Sequence, residues 1–145
     1  MCYDMRKEMM AMQKLFWGEH SVASRLVRET FQLHMHEFFE IFIFLDGDTD
    51  YVVEGNSYFL RPNDVIIINR NEMHRAYHKT QKRYERIVFH IMPDFFVKNH
   101  CEEYMKVFQE HDLGKKIKFQ QSWQKVQVFW MTYGVGFAIR TMAEK

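Results

Sequence analysis

The sequence predicts a mainly β chain, a sandwich or barrel of short strands with one or two α-helices after it. Three observations carry this expectation. About seven short runs rich in Val, Ile, Tyr and Phe alternate with turns bearing Gly, Asn and Asp. Aromatic use is heavy, with 14 Phe, 7 Tyr and 3 Trp, which suits β packing around an apolar pocket and argues against disorder. Beyond Pro93 the apolar spacing changes to the threes and fours of a helix.

Taken in order, Met5, Met9, Met12 and Phe16 recur at helical spacing and predict a short amphipathic arm that docks or contacts a partner. Arg25–Met35 and Glu37–Leu45 read as strands, closed by the turn Asp46-Gly47-Asp48. Tyr51–Glu54 and Ser57–Leu60 flank Gly55-Asn56, a hairpin signal. Arg61–Asp64 is a turn, Val65–Ile68 a buried strand, Asn69–Glu72 a loop, His74–His78 a short strand and Arg83–Met92 the last one. Asp94–His111 reads as a helix ended by Gly114, and Trp123–Tyr133 as a second helix. The expected organisation is an arm over 1–24, a barrel over 25–93, and a helical extension over 94–145 that dimerises or is a truncated end.

Ile41–Leu45 leaves no polar face, so both sides of that strand need cover, one from the barrel interior and one from helices or a partner. With Lys plus Arg at 20 and Asp plus Glu at 19, no strong field favours nucleic acid. Cys2 and Cys101 make no disulfide framework, and Met1–Glu8 is too charged for a signal peptide. The apolar stretch Val126–Ala143 is interrupted by Gln127, Thr132 and Arg140 and makes a poor membrane span. The expectation is a cytoplasmic protein without a membrane role. Neither cysteine lies in an activating motif and there is no phosphate-cradling loop, so nucleophilic catalysis has no support.

His34 and His36 share one face of an extended segment, and Glu40 has the same parity. Phe38, Phe42 and Phe44 join that face, and His74 is available from a later strand. Three imidazoles and a carboxylate suit a divalent transition metal such as Zn, Fe, Mn or Ni. The same set serves equally as a polar patch that hydrogen-bonds a ligand, with Glu40 accepting from a hydroxyl. Phe38, Phe42 and Tyr77 could then stack on an apolar ligand face. His78 and His90 read as pocket or core histidines rather than ligands, and Lys79–Arg83 as an exposed hairpin loop.

His34-x-His36, then Glu40, then Gly47 matches the first cupin motif at every spacing except its leading glycine, where Arg28 stands. The second motif is matched less literally. His74 falls on its histidine, while Asn63 and Asn71 replace glycines, Asn69 a proline, and His78 an asparagine. Asn tolerates the left-handed backbone better than other residues, so the two Gly-to-Asn changes are mild. Around His34–Ile41, Tyr58–Val65 and Ile68–His74 the chain most resembles the N-terminal domain of AraC-family transcription regulators. That resemblance implies a cupin-type double-stranded β-helix (jelly-roll) barrel that binds a small effector, a sugar or related metabolite, and forms a homodimer. It requires no cofactor. The expected pocket is His34, His36, Phe38, Glu40, Phe42, His74 and His78. The residues after Met92 are too few for the family's paired helix-turn-helix units, so no specific DNA binding by this chain alone is expected. The alternative is a stand-alone metal-dependent cupin enzyme, a dioxygenase or isomerase, with metal on His34, His36, Glu40 and His74.

Overall fold

Two antiparallel sheets face each other in the computed structural model, which describes residues 14–25 and 32–120. The elements are β1 (Phe16–Ala23), β2 (Phe39–Asp46), β3 (Thr49–Val53), β4 (Asn56–Phe59), β5 (Val65–Ile68), β6 (His74–His78) and β7 (Tyr84–Ile91). After them come α1 (Pro93–Lys98), a 3-10 turn (Glu102–Met105), α2 (Lys106–Gln109) and β8 (Lys118–Phe119). The larger sheet runs β1-β7-β2-β5-β8 and the smaller β4-β3-β6. The chain is thus mainly β, in the cupin-type jelly-roll arrangement.

Strand parity decides what enters the barrel. On β2, Glu40, Phe42 and Phe44 point inward, and the Phe42 ring meets Tyr51 of the opposite sheet at 4.3 Å. The other β2 face, with Phe39 and Ile43, is equally buried. The helices supply its cover, since Phe39 stacks on Phe108 at 4.8 Å and meets Phe96 edge-on at 5.8 Å. Each such aromatic removed from water contributes about 1.5–3 kcal/mol, so this second layer is as much core as the barrel interior.

The turns behave as their residues dictate. Glu54 and Gly55 both take positive φ, 48° and 77°, the twist that a tight β-hairpin needs. Asn63 and Asn71 sit at φ 72° and 61°, which explains why asparagine stands where glycine would otherwise be required.

Four expectations change. The first barrel strand is β1, paired along its length with β7 from Phe16↔Ile91 to Ala23↔Tyr84; the sheet therefore begins before residue 25. The predicted strand Arg25–Met35 is absent from its described part, where His34 makes an isolated bridge to His74. The predicted helix Asp94–His111 is broken in two. His100 adopts φ 53° and the Asn99 side chain donates to the Phe95 carbonyl at 2.7 Å, ending α1 early. The bend lets both Phe96 and Phe108 reach Phe39. Gly114 ends no helix. Its φ is +66° and a Cβ there would stand 2.4 Å from the Val53 carbonyl, so it allows the C-terminal segment to lie against the barrel. Most of the predicted arm helix and all of Trp123–Tyr133 lie outside the described residues.

Candidate ligand and metal site

Glu40 is the hub of the barrel's polar end. It is 3% exposed, and its register partners place it opposite His90 on β7 and Ile68 on β5. One carboxylate oxygen receives the Nε2 of His36 at 2.9 Å and of His90 at 3.2 Å, with the His74 Nε2 at 3.5 Å. The other accepts the Tyr51 hydroxyl at 3.0 Å. Burial raises the pKa of Glu40, but the imidazoles of His36, His74 and His90 around it outweigh that and hold it well below the usual carboxylate range. Burial depresses His74, and Glu40, joined by Glu72, more than compensates, so His74 binds its proton more tightly than a free imidazole.

Sequence spacing places His34 and His36 near Glu40, but not through a continuous strand. Paired backbone bonds, His34 N to His74 O at 3.1 Å and His74 N to His34 O at 2.9 Å, fasten His34 beside β6. His36 stacks on Phe38 at 3.8 Å between ring centres. His74 follows a braced loop. Glu72, fully buried, accepts the Asn69 and Gly114 backbone N–H groups at 2.7 and 2.9 Å.

One ligating atom from each of His34, His36, Glu40 and His74 lies within 4.8 Å of the others. The orientation of the three rings is also informative. Each Nδ1 donates to a backbone carbonyl, His34 to Gln32 at 2.9 Å, His36 to Phe38 at 2.9 Å and His74 to Glu72 at 2.7 Å. Each therefore presents Nε2 inward, and the buried His74 Nε2 has no hydrogen-bond partner. Carbonyl-anchored imidazoles facing a carboxylate fit a divalent transition metal. His90 differs, because its Nδ1 is buried without a hydrogen-bond partner.

Beside this cluster lies a partly open cavity of about 120 Å³, lined by Glu19, His34, Glu40, Phe42, Tyr51, Ala76, Tyr84, Arg86 and His90. Of the seven residues expected in a pocket, His34, Glu40 and Phe42 line it. His36, Phe38 and His74 sit around Glu40. His78 lies further along β6, bonded to Thr49 at 2.8 Å and edge-on to Tyr84 at 4.4 Å. Sequence reasoning missed Glu19, Tyr51, Tyr84 and Arg86, and read His90 as a pocket or core histidine without placing it among the seven. A signal existed, since Tyr84, Arg86, Val88 and His90 alternate on one face of β7, but the partner strand was needed to show which face is inward.

The model of a family described as AraC-like ligand binding domain matches residues 19–103. No curated protein matches the chain. Among solved structures, a Cupin 2 conserved barrel domain protein from Salinispora arenicola CNS-205 is 18% identical, over 66% of this chain and 72% of that one, at a TM-score of 0.47. The plu4264 protein of Photorhabdus luminescens is 19% identical, over 61% and 72%, at 0.49. A salicylate 1,2-dioxygenase from Pseudaminobacter salicylatoxidans is 18% identical, over 60% and 24%, at 0.48. Among the described residues, no helix is long and apolar enough to cross a membrane.

Proposed function

Because this chain belongs to the AraC-like ligand-binding domain family, we propose that it is the effector-sensing module of a transcription regulator, holding a small metabolite in its barrel and forming a homodimer. One observation carries the proposal: a cavity of about 120 Å³ opens onto Glu40, Tyr51, His34 and His90, with Phe42 and Ala76 as its apolar wall. Such a site offers a few convergent polar groups against apolar walls, the usual make-up of a small-molecule pocket. Glu40 and the imidazoles orient the effector, with Phe42 against its apolar face. Dimerisation uses the outer helices, where Val97, Tyr104 and Val107 are each about half exposed. Effector binding then shifts the dimer geometry, and a DNA-binding partner domain reads the change. The near balance of charge leaves DNA contact to that partner. A cytoplasmic setting suits this role. The test is a thermal-shift screen of sugars and related metabolites, beside light scattering. Effector binding should raise the Tm of a dimer; no shift from any metabolite, in a strict monomer, would sink the proposal.

A second function, that of a metal-dependent cupin enzyme, is favoured by the three carbonyl-anchored imidazoles around Glu40. His34, His36, Glu40 and His74 would hold the ion, which would supply Lewis acidity to a bound substrate. Protein purified without chelators or a His-tag column should then carry about one equivalent of metal, lost in His36→Ala; metal-free folded protein excludes it.

A further inference from the structure

The two ends of the cavity differ in charge. At one end the Glu40 carboxylate is shared by His36, His90 and Tyr51. Toward the other stands Arg86, four residues before His90 on β7 and therefore on the same inward face. Its side chain is 20% exposed, whereas Glu19, 3.9 Å away, is 60% exposed. Water and salt screen so open an acid, so this pair contributes little, and the charge of Arg86 bears on the cavity-lining Tyr51 and Tyr84 hydroxyls, whose ionised forms it favours. Arg86 has other contacts as well. Its field reaches the buried wall, where it adds to burial in holding His78 down to about 4.

We propose that the cavity takes a small organic acid, with its carboxylate on the Arg86 guanidinium and a hydroxyl or amine toward Glu40 and His34. The proposal rests on the effector-binding function above and narrows its ligand class from metabolites in general to carboxylates. A guanidinium presents a planar fork that matches a carboxylate through two parallel bonds. Glu40 is an acceptor-only group, so the far end of the ligand must donate. Size sets the limit. A cavity of roughly 150 Å³ holds benzene, so one of about 120 Å³ suits an acid of roughly two to four carbons.

Calorimetric titration of the chelator-treated full chain tests this. Glycolate, lactate and 4-hydroxybutyrate are compared with glycolamide, lactamide and 4-hydroxybutyramide, and with glycerol and erythritol as neutral polyols. The acids should bind at least about tenfold more tightly than their amides, and Arg86→Gln should lose a similar factor. Circular dichroism checks that this variant folds. Glu19→Gln, at the solvent-open rim of the cavity, removes the competing carboxylate and should tighten acid binding by roughly twofold or more; it decides the matter if Arg86→Gln does not fold. Amides or polyols binding as well as acids, unchanged binding in a folded Arg86→Gln, or no gain in Glu19→Gln would each overturn the acid assignment. Binding of polyols alone would leave the effector-sensing function standing. Silence from every acid overturns the assignment too, and that function falls only if the wider metabolite screen is also silent.

Discussion

His74 and His78 stand four residues apart on β6, share its inward face and are both buried, yet they hold protons oppositely. His74 faces Glu40 and is raised above the ordinary imidazole value. His78 faces Thr49, Tyr84 and the field of Arg86, and burial with that charge lowers it to about 4. Parity placed both rings inside, but the neighbouring strands decided which would be charged. A barrel lumen is thus not one environment. The surroundings of Glu40 are ionic, His78 is held neutral, and the cavity that Arg86 lines opens onto Glu40.

The strongest way to break this contrast is Glu40→Gln. Removing the carboxylate leaves three imidazoles without their shared partner, at a cost of about 3–5 kcal/mol in urea unfolding. Titration by NMR should show His74 falling, because Glu40 supplies its largest raising interactions and only Glu72 then opposes burial. A next test uses pH. His78 is depressed in the folded state, so its contribution is present above the ordinary value near 6.5 and is lost as pH falls toward about 4. His74 has the opposite sign, its contribution being complete below about 6.5 and lost as pH rises through its raised folded value. Unfolding of His78→Asn between pH 7 and 4 should therefore show a flatter loss of stability than the parent, by about 1–3 kcal/mol across the window. An equal slope would mean that His78 is not held neutral.

Smaller effects sharpen the support of the ionic end. Glu72→Gln keeps the shape of the brace but puts an NH2 donor where one carboxylate oxygen accepted, so either the Asn69 or the Gly114 N–H loses its acceptor, costing about 1–3 kcal/mol. Faster hydrogen exchange at Gly114 would confirm that the C-terminal segment has loosened. Least affected should be Asn71→Gly, with a change of about 0.5 kcal/mol or less, since φ 61° suits both residues. Asn71→Val at the same position should lose about 1–2 kcal/mol.

Much of this was legible in order along the chain. The strands from Phe39 to Ile91 follow from β-branched and aromatic runs between turn residues, because those side chains pack well on a pleated, half-buried surface. His34, His36, Glu40 and His74 were legible because their spacing is local or follows a known motif. β1 was not, since Gly18, Glu19 and His20 interrupt its apolar pattern and only pairing with β7 gives it a place. Nor was the break at Asn99-His100, which answers a packing demand set by Phe39.

By itself, then, the sequence determined the β class, the turns and the two-sided burial of β2, consequences of local pattern, and, through local spacing and a motif, which four His and Glu residues cluster. Tertiary structure alone decided that Arg86, Tyr51, Tyr84 and Glu19 share a cavity with Glu40, and that His90 joins the cluster which His78 does not. The reason is physical: antiparallel register brings together residues dozens of positions apart, and the charge of a buried group depends on what that register puts beside it.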